Sequence, residues 1–338
     1  MVKIAISGGT GNVAQEVLDA LVETGKHEII LLSRKVGIFY SLPCSIFLSL
    51  NHKLKQDTPP NSLLPGVTQV KANYEDVEEL VHILQGVHTV LCFITSQSDP
   101  GNVSQRNLID ASVRAGAKRY APSEWATSSL DYLPWYDGKG EIRKYLQELN
   151  KEKQVLEYSL FQPGLFTNYF AAPHQTAKHV FAFPLQIDFE NRRAIIIEGG
   201  EDAPINLVTV EDFANIVALA IGYEGAWPLV GGIKGDEVTV GQLIAIGEKI
   251  RGGPFAVEKL KVEDLKAGVV KSTWIPKVSH PSLSADEIES LSQGFTSGIL
   301  LALSDGAYRV NDAWNRILPD YKITQAEEFL AGVWHDKA

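Results

Sequence analysis

The first half of the chain alternates short apolar runs with longer runs in which apolar residues recur every three or four positions. The short runs are typical of strands buried in a parallel sheet, and the periodic runs are typical of amphipathic helices. The pattern predicts strands at 2–7, 27–32, 67–70, 88–94, 118–121 and 156–161. It predicts helices at 12–22, 74–84, 103–115 and 137–153. This alternation predicts an α/β protein with a doubly wound parallel Rossmann sheet.

The pattern becomes irregular after residue 164, where aromatic residues crowd one stretch of chain. They are Phe166, Tyr169, Phe170, Phe181 and Phe183. Two interpretations stay open, namely core packing under a long loop and the wall of an apolar substrate pocket. Residues 208–212 are predicted to open a further helix that runs to residue 221. We therefore predict an NAD(P)-binding Rossmann domain at 1–165 and a smaller C-terminal α/β substrate lobe at 166–338, interleaved with the Rossmann core.

The first strand runs directly into a glycine-rich turn at residues 8–11, and the first helix follows at once. The first glycine permits a turn too tight for a Cβ atom, and Gly11 lets backbone amides approach a pyrophosphate at the positive end of the helix. Asn12 with Gln15 predicts a variant capping box at the helix start. The position between strand and helix favours a dinucleotide site over an ordinary turn. The predicted cofactor contacts here are Gly8, Thr10, Gly11, Asn12 and Val13.

The second predicted strand ends in Ser33, Arg34 and Lys35. An NAD site usually has a carboxylate here, which holds the ribose 2′-hydroxyl. Two cations and a hydroxyl suit a 2′-phosphate instead. The sequence therefore predicts NADP(H) as the cofactor, with Arg34 and Lys35 contacting its 2′-phosphate.

Composition and charge narrow the partners. The 338 residues are 45% hydrophobic and 21% charged, which is ordinary for a globular enzyme, and the formal net charge is −10. An acidic chain is a poor match for nucleic acid and for anionic membranes, so neither is an expected partner. Cys44 and Cys92 have no Cys or His neighbours at metal-ligand spacing, so we expect no metal site. We expect the protein to work in a reducing compartment. The strand at the N-terminus leaves no room for a signal peptide, and we expect a cytoplasmic location.

Residues 36–56 interrupt a connection that needs only a few residues, and they contain no Asp or Glu. The apolar part is shorter than the roughly 20 residues that span a bilayer, and it has no amphipathic period. Two explanations stay open for this anomalous insertion. One is a genuine insertion loop. The other is a translated, unspliced intron, because a first Val codon begins with GT and a last Gln codon can be CAG.

Several motifs together resemble the isoflavone-reductase-like and NmrA-like branch of the atypical short-chain dehydrogenases. They are the glycine turn, Arg34, Gln105, the run 115–120, Pro122-Ser123-Glu124-Trp125, Lys139 with Arg143, and the run 163–169. The resemblance covers almost the whole chain apart from 36–56. It implies NADPH-dependent reduction of small aromatic, phenylpropanoid-like molecules. It also implies that Lys139 lies near the nicotinamide and serves as a general base or proton relay.

Lys139 is the candidate catalytic residue. A partly desolvated lysine beside a nicotinamide can have its pKa lowered towards the working pH. A cation in the first turn of a helix is unfavourable against the dipole, which favours a functional reason over a solvated helix-start lysine. Ser123 and Glu124 are expected to organise their loop. The candidate substrate contacts are Trp125, Phe166, Asn168 and Tyr169.

One departure from ordinary short-chain dehydrogenases keeps a second function open. Their Tyr-x-x-x-Lys pair is absent, since Trp135 lies four residues before Lys139. Tyr136 or Tyr132 could replace the tyrosine, although on a helix Tyr136 would point elsewhere. The prediction is therefore an NADPH-dependent reductase of a small aromatic substrate, with an NmrA-like dinucleotide-sensing regulator without turnover as the alternative. Substrate identity and oligomeric state do not follow from the sequence.

Overall fold

A computed structural model describes residues 1–34, 64–278, 284–335 and 337. Lys35 and the insertion 36–56 lie outside the described residues. The strands are β1 Lys3–Ser7, β2 Glu28–Ser33, β3 Val67–Lys71, β4 Thr89–Cys92, β5 Arg119–Ala121, β6 Glu157–Tyr158, β7 Leu160–Gln162, β8 Leu165–Phe166, β9 Ile187–Asp188, β10 Arg193–Ile197, β11 Pro204–Val208, β12 Val230–Gly232, β13 Asp236–Thr239 and β14 Ala256–Leu260. The α-helices are α1 Asn12–Glu23, α2 Val77–Ile83, α3 Val103–Ala115, α4 Asp137–Leu149, α5 Val210–Gly222, α6 Val240–Arg251, α7 Val262–Lys266, α8 Ala285–Ser304, α9 Ala313–Ile317 and α10 Ala326–Trp334. Within these described ranges, no helix is both long and apolar enough to cross a membrane.

The described residues form a six-stranded parallel sheet in the order β3-β2-β1-β4-β5-β6. Ile4 of β1 pairs with Ile29 on one side and with Thr89 on the other. The strand order reverses between β1 and β4, and ligands of such sheets bind outside the carboxyl ends of the strands at that point. The predicted Rossmann fold class is confirmed.

Helices cover both faces of this sheet because its strands carry apolar residues on both sides. Ile4 and Ile6 pack with α1 and with Phe213 of α5. Ala5, which points the other way, packs in a second core with residues of α2, α3 and α4 such as Leu108. Since α5 follows residue 165, the second half of the chain completes one layer of the Rossmann core. The division at residue 165 stays a prediction.

The second half also forms its own core. Smaller sheets join β10 with β14 and β9, and β11 with β13 and β8. Their apolar faces pack with α6, α8 and α10 around large buried side chains, which include Phe189, Leu243 and Trp334. In this layer β11 pairs with β8, and the chain continues from β11 into α5, which packs in the Rossmann core.

Several predicted element boundaries differ from the structure, and hydrogen bonds explain two of the differences. The strand predicted at 156–161 divides into β6 and β7. The Ser159 N–H donates to the Tyr120 carbonyl, which keeps β6 in the large sheet. The Leu160 N–H donates instead to the Leu229 carbonyl, so β7 pairs with β12. Helix α4 ends at Leu149 and not at residue 153. The Asn150 side chain stops it, donating to the Leu156 carbonyl at 2.7 Å and accepting from the Val155 N–H at 2.9 Å.

Candidate active site

The turn between β1 and α1 is held mainly by its own backbone. Gly8 has φ +69°, and a Cβ on it would lie 2.6 Å from the carbonyl carbon of Phe93, so this position requires glycine on both counts. The Gly11 N–H donates to the Gly8 carbonyl at 3.0 Å. The turn therefore packs directly against the end of β4.

Helix α1 begins at Asn12 with Gly11 as its N-cap, so the predicted capping box is wrong. The Gln15 amide turns back to the Gly9 carbonyl instead and braces the turn. No side chain of the described residues caps the helix, and its first turn carries no acidic residue. Asn12 Oδ1 is buried without a hydrogen-bond partner among the described residues. Uncapped amides, an unpaired polar atom and a turn without Cβ atoms fit the pyrophosphate and sugar of a dinucleotide.

Arg34, one of the two cations predicted to choose the cofactor, lies at the same edge of the sheet as the glycine turn. Arg34 directly follows β2 and is exposed, and Thr10 is exposed on the glycine turn. A guanidinium at this position suits a 2′-phosphate, which it can bind with two parallel hydrogen bonds. Lys35, the second predicted cation, lies outside the described residues.

A cavity of about 260 Å³ opens beyond the start of α1. Chain segments that are far apart in sequence line it: Gly11, Asn12, Val13, Ala14, Phe93, Thr95, Ser96, Gln97, Ser123, Glu124, Trp125, Tyr136, Lys139, Tyr169, Val180, Phe181 and Phe183. The start of α1 and Lys139 therefore share one space with three rings of the aromatic stretch, those of Tyr169, Phe181 and Phe183.

Aromatic rings form two walls of this cavity. Trp125 stacks on Phe93 with ring centres 4.4 Å apart and planes 7° apart, and its indole N–H donates to the Cys92 carbonyl at 2.7 Å. These contacts hold Trp125 at φ +41°, a backbone conformation that non-glycine residues rarely adopt. On the other side, Tyr169 packs on Phe183 at 4.3 Å between ring centres. The walls suit a flat, apolar ligand.

Lys139 lies on the first turn of α4 and is fixed from two directions. Its Nζ donates to the carbonyls of Ser123 and Glu124 at 2.6 and 2.7 Å. It also lies 4.7 Å from the centre of the Tyr136 ring. Burial lowers the pKa of Lys139 to about 8, while the Glu124 carboxylate opposes this shift. The side chain can therefore gain and lose a proton near physiological pH.

Glu124 and Ser123 organise the turn at residues 122–125, as expected of loop residues. The Glu124 carboxylate is buried and accepts two hydrogen bonds from Arg143, at 2.6 and 3.0 Å. Arg143 also donates to the Ser128 carbonyl at 3.2 Å. The Ser123 N–H donates to the Gln105 side chain at 2.9 Å. Helices α3 and α4 therefore fix the two carbonyls that Lys139 binds.

Two of the predicted substrate contacts do not line the cavity. Phe166 is buried in the Rossmann core, where its ring centre lies 5.4 Å from that of Phe213. Asn168 is fully buried, and its Oδ1 accepts from the Val210 N–H at 2.8 Å. Its amide donates to Thr176 Oγ1 at 3.1 Å. Asn168 thus joins the chain just before Tyr169 to the start of α5.

The sequence interpretation missed the segment after β4 and misplaced Tyr136. Phe93 and residues 95–97 line the cavity, and their position after a strand at the sheet's reversal point was the available signal. Tyr136 belongs to the 3₁₀ turn Pro134–Tyr136 and not to α4. The helical argument that Tyr136 would point elsewhere from the usual tyrosine therefore does not apply, and Tyr136 lines the cavity. Tyr132, the other candidate tyrosine, is 40% exposed and does not line the cavity.

Residues 2–295 match the model of the NmrA-like family. The chain belongs to this family. It is 26% identical to the oxidoreductase BOA1 of Botryotinia fuckeliana (strain B05.10), over 97% of this chain and all of the other. It is 25% identical to quinone oxidoreductase 2 of Escherichia coli (strain K12), over 81% of this chain and 82% of that one. These matches confirm the family that the motifs predicted.

The fold of this NmrA-like chain is also similar to that of a solved structure described as AtPrR2 with NADP+ and (+)pinoresinol. The TM-score is 0.65 over 98% of both chains, at 17% sequence identity. At this identity the likeness shows the shared fold.

Proposed function

We propose that this NmrA-like chain is an NADPH-dependent reductase of a small aromatic, phenylpropanoid-like molecule. The observation that carries the proposal is one cavity that joins the uncapped start of α1 with Lys139 and with aromatic rings on two sides. The relatives named as oxidoreductases and the solved fold described with NADP+ support it. Cys92, a buried free thiol, suits a reducing, cytoplasmic compartment.

Different residues of this chain suit different groups of NADPH. The amides at the start of α1 suit the pyrophosphate, Asn12 suits the adjoining sugar, and Arg34 suits the 2′-phosphate. When bound, NADPH supplies a hydride to the substrate. The aromatic walls orient a planar substrate and exclude water from it. Lys139 takes part in the proton transfer that balances the hydride, because burial brings its pKa to about 8.

The test is a screen for NADPH consumption with chalcone, acetophenone, 1,4-benzoquinone and pinoresinol, with NADPH affinity measured in parallel by calorimetry. Turnover of at least one compound, faster with NADPH than with NADH, is the expected result. Tight NADPH binding without turnover of any compound would contradict the reductase and favour the dinucleotide-sensing regulator. That alternative has one observation in its favour, which is Trp135 in place of the usual tyrosine four residues before Lys139.

A further inference from the structure

A second proton-bearing side chain shares the cavity with Lys139. Tyr136 lines the cavity, and the Lys139 Nζ lies 4.7 Å from the centre of its ring. Tyr136 ends the 3₁₀ turn Pro134–Tyr136, and that turn places its ring beside the lysine, three residues along the chain. The phenol and the ammonium are therefore neighbours although the usual four-residue spacing is absent.

The contacts of Lys139 leave it poorly suited to reach a substrate directly. A lysine ammonium has three donors, and two of them are taken by the carbonyls of Ser123 and Glu124. Both carbonyls are held by the turn that α3 and α4 brace, so the ammonium is fixed at one place. A fixed cation over an aromatic ring stabilises negative charge that develops on the attached oxygen.

The surroundings of Tyr136 favour its protonated, neutral form. Burial raises the pKa of the Tyr136 phenol, and the Glu124 carboxylate raises it further, while a hydrogen bond to Trp135 lowers it. The other ionisable groups that face it are Lys139, Tyr169 and Tyr308. A phenol in this setting is neutral at physiological pH, which is the form that donates a proton.

We propose that Tyr136 delivers the proton to the substrate oxygen and that Lys139 acts through it. The inference rests on the reductase function proposed above. With a carbonyl substrate, the hydride from NADPH forms a new C–H bond, the π electron pair of the C=O bond passes to oxygen, and oxygen takes the phenolic proton. The charge of Lys139 stabilises the phenolate, which regains a proton from the ammonium or from solvent. NADP⁺ and the alcohol are the products.

The experiment compares Tyr136→Phe with Tyr132→Phe, using chalcone, acetophenone and 1,4-benzoquinone with NADPH. Tyr136→Phe removes one oxygen and keeps the ring beside Lys139, so we expect NADPH affinity within about twofold of the parent and kcat lower by roughly 10²–10³. Tyr132→Phe, whose side chain is exposed and outside the cavity, should leave kcat unchanged. The double variant with Lys139→Met should lose little more than the less active of the two single variants, because the two residues act as one unit.

A binding measurement tests the same tyrosine without turnover. 4-Nitrophenol, added to the protein loaded with NADP⁺, presents a phenolic oxygen where the substrate oxygen would lie. We expect Tyr136→Phe to weaken its binding about tenfold, the loss of one hydrogen bond, and Tyr132→Phe to leave it unchanged.

The outcomes separate this inference from the proposed function. Full turnover in Tyr136→Phe, or losses that multiply in the double variant, would overturn the role of Tyr136 while the reductase function stands. If the parent turns over no compound of the panel, the reductase function fails. The 4-nitrophenol titration then decides about Tyr136, and equal affinity in parent and Tyr136→Phe would overturn the inference.

Discussion

The side of the cleft that we propose for the cofactor comes from one stretch of chain, residues 8–15, with Arg34 added after the next strand. The substrate side, by contrast, is assembled from residues 93–97, 123–125, 136–139, 169 and 180–183. The cofactor side uses backbone amides and missing Cβ atoms, so local geometry defines it. The substrate side uses aromatic rings and a buried lysine, so tertiary contacts define it. The proposed recognition of the cofactor is therefore a local property of the chain, while the proposed chemistry depends on contacts between distant residues.

One buried carboxylate connects the two sides. Glu16 lies on α1, behind the turn that faces the cofactor, and is only 7% exposed. It accepts hydrogen bonds from the N–H groups of His179 and Val180, at 2.6 and 2.9 Å. The segment that carries Phe181 and Phe183 into the cavity is therefore attached to the cofactor helix.

The largest effect is expected on the substrate side, from Lys139→Met. The variant keeps the aliphatic stem but cannot carry a proton, so kcat should fall by roughly 10²–10⁴ with little change in NADPH affinity. Because the charged ammonium is the active form of Lys139 and burial lowers its pKa to about 8, the parent's kcat should decline as pH rises through that value, when the ammonium is lost. The variant should lack this decline. Steady-state kinetics from pH 6 to about 10 measure both effects.

The control for this variant is Lys144→Met, which changes an exposed lysine on the same helix. It should leave kcat and its pH dependence unchanged. Equal activity in Lys139→Met and the parent would remove Lys139 from the mechanism and leave the lysine a structural role at the 122–125 turn.

On the cofactor side, Gly8→Ala should be the most damaging single change. Alanine at positive φ costs about 1–2 kcal/mol, and the clash with the Phe93 backbone should add about 1–3 kcal/mol. Gly86→Ala is the matched control, since Gly86 has φ +74° and no described atom lies within 4 Å of its Cβ position. Urea unfolding of both variants measures the difference. Equal losses of stability would show that the turn is not packed against β4 as described.

Arg34→Ala tests the choice of cofactor on the same side. A charge-assisted contact contributes about 1.5–3 kcal/mol, so NADPH binding should weaken by tenfold or somewhat more while NADH binding stays the same. Arg316→Ala, a similarly exposed cation on α9, serves as the control. Calorimetric titration with both cofactors decides the matter, and parallel losses for NADPH and NADH would reject the assignment.

The smallest effect should come from Glu16→Gln, which weakens the connection between the two sides. The glutamine amide keeps one acceptor oxygen but loses the negative charge. KM for an aromatic substrate should therefore rise about fivefold, which corresponds to about 1 kcal/mol of binding free energy, while NADPH affinity should not change. Glu23→Gln, an exposed residue at the end of the same helix, should change neither value. A loss of NADPH affinity in Glu16→Gln would mean that the carboxylate supports the helix and not the substrate wall.

Sequence alone was sufficient for the Rossmann sheet, the glycine turn, the position of Arg34 and the family. The reason is that each of these depends on local properties: apolar period, a turn that needs glycine, and a residue at the end of a strand. Lys139 could be singled out because its neighbours in sequence carry the family's motifs.

Only the tertiary structure divided the aromatic run between its two open interpretations. Phe166 and Phe170 entered hydrophobic cores, whereas Tyr169, Phe181 and Phe183 reached the cavity. The irregular chain in this region has no period from which side-chain direction could be inferred. The direction of each side chain there depends on contacts with residues far away in sequence, such as the hydrogen bond from the Val210 N–H to Asn168 Oδ1.

Tertiary structure likewise decided the surroundings of the candidate proton donors. A 3₁₀ turn just before α4 brought Tyr136 beside Lys139. Phe93 became a stacking partner of Trp125 only when β4 and the 122–125 turn met. The lowered pKa of Lys139 has the same origin, because desolvation is a property of the assembled cavity and not of neighbouring residues in the chain.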